Sequence, residues 1–114
     1  MNRPTDVERL RHILDFIGRV ETYTRAGRDA FLTDQMVQDA VLRNFEIIGE
    51  AARTLSSATK DRAPSVEWRK IVGMRDHVAH GYFGIDLELV WDTTVQDLPP
   101  LRAAVEKLLS ELAP

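Results

Sequence analysis

The spacing of apolar residues constrains this chain most. They recur three and four positions apart, the period of a helix with one buried face rather than the period of two that marks a strand. The first series is Val7, Leu10, Leu14 and Ile17, widened by Ile13, Phe16 and Val20. Thr5 and Glu8 stand before it at the spacing of a capping box, so a helix is expected from about residue 6 to 25, stopping near Gly27. A second helix is expected after Thr33, with Leu32 and Val37 placed as a hydrophobic staple, continuing through Val41, Ile48 and Leu55.

Residues 56–65, SSATKDRAPS, read as a loop, with Ser65 as cap of a third helix that carries Trp68, Ile71, Val72 and Val78 and is interrupted at Gly73. Asp86 announces the last helix, flanked by Ile85 and Val90 in staple positions. Its stripe of Leu87, Trp91, Thr94, Leu98, Leu101, Val105, Leu108 and Leu112 runs straight through Pro99 and Pro100. An internal proline removes a helical hydrogen bond and costs about 3 kcal/mol, so a sharp kink or short break is expected there. The fold class is all-α, a bundle of four to five helices with the last kinked at Pro99-Pro100, and residues 1–114 are expected to form a single domain.

Composition narrows the functions open to such a bundle. The chain has no cysteine, which removes disulfides, thiolate nucleophiles and sulfur-ligated zinc and suits a reducing compartment. The N-terminus lacks the apolar core of a secretory signal, and the longest purely apolar runs are far too short for a membrane span. A cytoplasmic location, with no membrane partner, is the expectation. The formal net charge of −3 speaks against a broad cationic field for nucleic acid, but the charge is unevenly placed. Residues 58–80 carry five Lys/Arg against three Asp/Glu, and residues 81–114 carry two against six. The middle segment can meet a phosphate, and the acidic end either a basic partner or only solvent. So short a chain buries a limited share of its surface, which makes a homodimer physically reasonable.

Reactive side chains cluster once, in MRDHVAHGYF, where Arg75, Asp76, His77, His80 and Tyr82 follow one another closely. Arginine keeps its charge and offers a planar fork of donors for phosphate oxygens, while histidine exists in both protonation states near neutrality. Asp76 and His80 are four apart, so on one helix the carboxylate can orient the imidazole. His77 reads either as a phosphate contact or as a packing histidine. Zinc held by Asp76, His77 and His80 is disfavoured, because successive helical residues point about 100° apart and three such ligands cannot all converge; no metal or other cofactor is expected. Asn44 interrupts an apolar stripe between Val41 and Ile48, and is either an interhelix hydrogen bond or part of a site. Trp68 and Trp91 fall on apolar stripes and are assigned to the core.

The stretch WRKIVGMRDHVAHGYFGIDLELVW, with FEIIGEAA before it and DLPPL after it, resembles the HEPN-domain toxins of the HepT kind. Their pattern is an arginine, a histidine five positions on, and a tyrosine two further, matched here by Arg75, His80 and Tyr82. The resemblance covers about residues 5–112. It implies an endoribonuclease toxin of a type II or type VII-like toxin–antitoxin system, acting on RNA such as tRNA or mRNA. It further implies a dimer that joins two motifs in one cleft and a minimal, MntA-like nucleotidyltransferase antitoxin. By the same resemblance Tyr82 receives AMP from that antitoxin and is regulatory rather than catalytic; as a plain residue it is an amphipathic tyrosine with a packed ring. A catalytically silent HEPN domain, binding nucleotides or docking a nucleotidyltransferase, is the alternative, and retention of both Arg75 and His80 favours the enzyme.

Overall fold

A computed structural model describes residues 4–79 and 84–114, with the side chains of residues 76–79 outside the description. The described residues form seven helices and no strand: α1 (Asp6–Tyr23), α2 (Arg28–Thr33), α3 (Gln35–Thr54), α4 (Ser57–Asp61), α5 (Trp68–Ala79), α6 (Leu87–Gln96) and α7 (Leu98–Leu112). The all-α class therefore holds, with more segments than the four to five expected. None of these helices is long and apolar enough to cross a membrane.

Helix α1 starts where its sequence says it should. Thr5 accepts from the Glu8 amide at 3.1 Å and the Glu8 carboxylate accepts from the Thr5 amide at 3.1 Å, the reciprocal pair of a capping box. The stripe Leu10, Ile13, Ile17 and Val20 is fully buried. Helix α3 is central and packs on both α1 and α5, while α7 packs on α1 and α6. Its cap is Asp34, one residue later than Thr33, because the aspartate oxygen accepts from the Met36 and Val37 amides at 3.0 and 3.3 Å. Thr33 instead ends the short α2, its hydroxyl turned back to the Asp29 carbonyl. Phe31 of α2 is buried and its ring meets Trp91 of α6 at 5.7 Å between centroids.

Helix α4 lies inside the segment read as loop. Ser56 caps it by accepting from the Thr59 amide, and Asp6, some fifty residues earlier, accepts from both the Ser56 and Thr59 hydroxyls. Burial pushes the Asp6 carboxyl up, but these hydrogen bonds and the nearby Arg9 outweigh it and hold the group below the ordinary aspartate value. Trp68 then closes the turn into α5, its indole N–H donating to the carbonyls of Lys60 and Ala63 at 3.2 Å. Helix α5 begins two residues after Val66 and continues through Gly73 without interruption.

The expected kinked last helix is two helices that meet at Asp97. Asp97 ends α6, donating its amide to the Thr93 carbonyl, and begins α7, its carbonyl accepting from the Leu101 amide at 3.2 Å. Pro99 and Pro100 thereby fall in the first turn of α7, where backbone N–H groups have no helical acceptor to lose and the fixed proline φ suits the helix. The break precedes the prolines, and Thr94, Leu98, Leu101, Val105 and Leu108 remain on one buried face across it.

Candidate active site

The site is built on the contact between α3 and α5. Gly49 lies on the face of α3 that meets α5, and a Cβ placed there would sit 3.0 Å from both the Arg75 Cβ and the Arg75 backbone nitrogen and 3.2 Å from the Val72 carbonyl oxygen. Any side chain there would require α5 to give by a few tenths of an ångström. Met74, beside Arg75, is buried in the core, while the Arg75 side chain starts at the α3 contact and runs outward, 44% exposed.

Arg75 opens onto a cleft of about 500 Å³. Arg9 and His12 of α1 and Arg43, Glu46 and Glu50 of α3 line it too. Three arginines and two glutamates line it, a small excess of positive side chains on a chain of negative net charge. Its volume falls within the range of small-ligand sites. Arg9 also closes the C-terminal end of α3 by donating to the Thr54 carbonyl at 3.0 Å, where a cation complements the helix dipole.

Glu50 is the ionic partner of Arg75, its carboxylate 3.4 Å from Nε. The same carboxylate accepts from Arg53 one turn on, at 3.2 Å from Nε and 2.7 Å from the terminal nitrogen. Arg53's hydrogen bonds first, and then the charges of Arg53 and Arg75, outweigh desolvation and hold the Glu50 carboxyl below the ordinary glutamate value. Glu46 is engaged with Arg43 at 3.4 Å.

Of the residues singled out in the sequence, Arg75 is placed in full. The backbone of Asp76 and His77 lies in α5, but their side chains are outside the described atoms. His80 and Tyr82 lie outside the described residues altogether. Asn44 is buried and donates to the Ala40 carbonyl on its own helix at 2.6 Å; its Oδ1 has no donor among the described residues. Glu50, Arg53, Arg43, Arg9 and His12 were not singled out in the sequence. For Glu50 and Arg53 a signal existed, an opposite-charge pair three apart directly after Gly49.

A helical bundle with an arginine-bearing cleft admits many functions, and comparison with known proteins narrows them. The family described as Ribonuclease HepT-like matches residues 13–108. The chain belongs to this family. It is 39% identical over 100 residues to a Thermococcus cleftensis protein named as a probable ribonuclease HepT, covering 87% of this chain and 91% of that one. It is 38% identical over 104 residues to a Methanocaldococcus jannaschii protein named as a gamma-glutamylcyclotransferase and provisional RNase. That match takes in 90% of this chain but 47% of the relative, so this chain spans about half of that protein's length. A Caldanaerobacter subterraneus protein with a provisional RNase name is 32% identical over 105 residues. No solved structure matches the chain.

The close approach at Gly49 makes a prediction with an internal control. Alanine in a helix interior ordinarily gains about 0.8–1 kcal/mol over glycine. Gly73→Ala, whose new Cβ meets nothing within 4 Å, should show such a gain in urea unfolding. Gly49→Ala should instead lose about 1–3 kcal/mol, because its nearest neighbours include backbone atoms that cannot rotate away. Equal stabilisation by both would mean that α3 and α5 are not in close contact there.

Proposed function

We propose that this chain is a metal-independent endoribonuclease, the cytoplasmic toxin of a toxin–antitoxin pair, working through Arg75 and His80. The observation that carries the reading is the placement of Arg75. Its helix packs closely at Gly49 and buries Met74, while its guanidinium stands in an open cleft lined by two further arginines, as suits a phosphate-binding arginine. Membership in the HepT-like ribonuclease family supports the choice of RNA over other phosphates.

The chemistry follows from what RNA carries itself. A base takes the proton of a 2′-hydroxyl, whose oxygen attacks the adjacent phosphorus, and the bond from phosphorus to the 5′-oxygen breaks as an acid protonates that oxygen. His80 in its two protonation states supplies these transfers, one copy from each protomer of a homodimer whose motifs share a cleft. Arg75 neutralises the charge that gathers on the phosphorane oxygens. Asp76 orients His80, and His77 contacts a neighbouring phosphate. The partner is a nucleotidyltransferase antitoxin that attaches AMP to the Tyr82 hydroxyl; the added phosphodiester is anionic and competes with RNA for Arg75.

The test of the enzyme is Arg75→Lys assayed in excess chelator. Wild type should cut RNA in EDTA, and the lysine variant should lose roughly 100- to 1,000-fold, since a point charge cannot reproduce the planar two-point contact. Abolition of wild-type cleavage by EDTA with recovery on adding zinc or magnesium, or near-normal turnover by the lysine variant, would overturn the mechanism. The regulatory step is read by intact mass. Co-expression with an active nucleotidyltransferase should add whole AMP units to wild type and none to Tyr82→Phe, which should stay active; equal addition to both would exclude Tyr82 as acceptor.

A further inference from the structure

We infer that Glu50 is the positioning residue for Arg75, anchored by Arg53 so that the guanidinium is held by its Nε edge and its terminal nitrogens are left for phosphate. This rests on the reading of Arg75 as a phosphate-binding group, and it assigns a task to a carboxylate that the proposed chemistry does not use.

The geometry is asymmetric in a way that fits a holder rather than a plain ion pair. Arg53 grips Glu50 through two hydrogen bonds, at 2.7 and 3.2 Å, whereas the approach of Glu50 to Arg75 is longer, 3.4 Å at Nε, and is an ion pair only. The carboxylate is thus tied to its own helix and tethers the side chain that comes from the other. Glu46, one turn earlier on α3, is paired with Arg43 and does not compete. The approach of Glu50 to Arg75 is an ion pair without a hydrogen bond, and it falls at Nε, so the terminal nitrogens that match two phosphate oxygens are not consumed by it.

The backbone and the side chain are restrained separately. The Gly49 contact sets where the Arg75 Cβ begins, and Glu50, the very next residue on α3, sets where the guanidinium ends. An arginine free to sample its rotamers would lose much of that definition on the way to the cleft. Because Glu50, Arg53 and Arg75 are all substantially exposed, their ion pairs add little to folding stability. Misplacing a group in a transition state by a fraction of its length, in contrast, lowers turnover steeply. A positioning role therefore separates cleanly from a structural one.

The experiment compares Glu50→Gln, Arg53→Ala and Arg75→Lys in the full chain. Glu50→Gln should leave the Tm of wild type while lowering kcat about tenfold, with KM changed less than kcat. Arg53→Ala should fall between the two, and Glu50→Gln added to Arg75→Lys should have no further effect, since the tethered group is already gone. A readout independent of cleavage is the Nε–Hε resonance of Arg75 in protein labelled with nitrogen-15, assigned by its disappearance in Arg75→Lys. It should be resolved in wild type and exchange-broadened in Glu50→Gln. If wild type cuts no RNA, the ribonuclease reading fails and the resonance alone judges the tether. A Glu50→Gln protein with unchanged kcat and an unchanged resonance would overturn the inference, as would a faster one, which would make Glu50 a competitor of phosphate.

Discussion

The backbone contact of α3 with α5 at Gly49 is the constraint on which the rest of this structure depends. It brings the two helices into a contact tighter than nearly all Cβ contacts, and it does so at the residue that carries the proposed phosphate ligand. Around it the core is ordinary: Ile48 and Ala52 on α3 and Ile71 and Met74 on α5 are buried together with the α1 stripe. The unusual feature is that a packing decision and a chemical decision coincide. Met74 is buried while Arg75, the next residue, is exposed, and the glycine at the α5 contact is followed at once by the glutamate that meets the Arg75 side chain.

Much of this was legible in the sequence, because the forces involved are local. The Thr5–Glu8 capping box, the Asp86 cap and the buried stripes each involve residues within a turn or two of one another. What escaped depended on distant partners or on competition between neighbours. Residues 57–61 have loop composition, yet they are helical where Asp6 collects the hydroxyls of Ser56 and Thr59 from across the fold. Asp34 displaced Thr33 as cap of α3 because two adjacent residues could each serve and the aspartate reaches two amides. In sequence the prolines stand as an obstacle inside a helix, but a break at Asp97 lets them begin one.

The candidate site divides along the same line. Arg75 stood out by its spacing to His80 and Tyr82, a pattern within one segment. The cleft it enters is assembled from α1 and α3 as well, by Arg9, His12, Arg43 and Glu50, whose sequence distances from Arg75 hide the association. Three arginines and two glutamates line that cleft, although the chain as a whole has a net charge of −3. The excess of anions lies in residues 81–114, and Asp86 and Asp97 there are spent on caps and junctions.

The central claim is that the RNA's own 2′-hydroxyl is the nucleophile, with Arg75 stabilising the phosphorane and His80 moving the protons. The most direct measurement is the chemistry of the ends left on a synthetic RNA cut by the purified protein, beside the same strand carrying a single 2′-deoxy nucleotide at the cut position. The account predicts a 2′,3′-cyclic phosphate on one fragment, a 5′-hydroxyl on the other, and no cut at the deoxy position. A 3′-hydroxyl with a 5′-phosphate, or cleavage that persists at the deoxy nucleotide, would mean that water is the nucleophile and would contradict it.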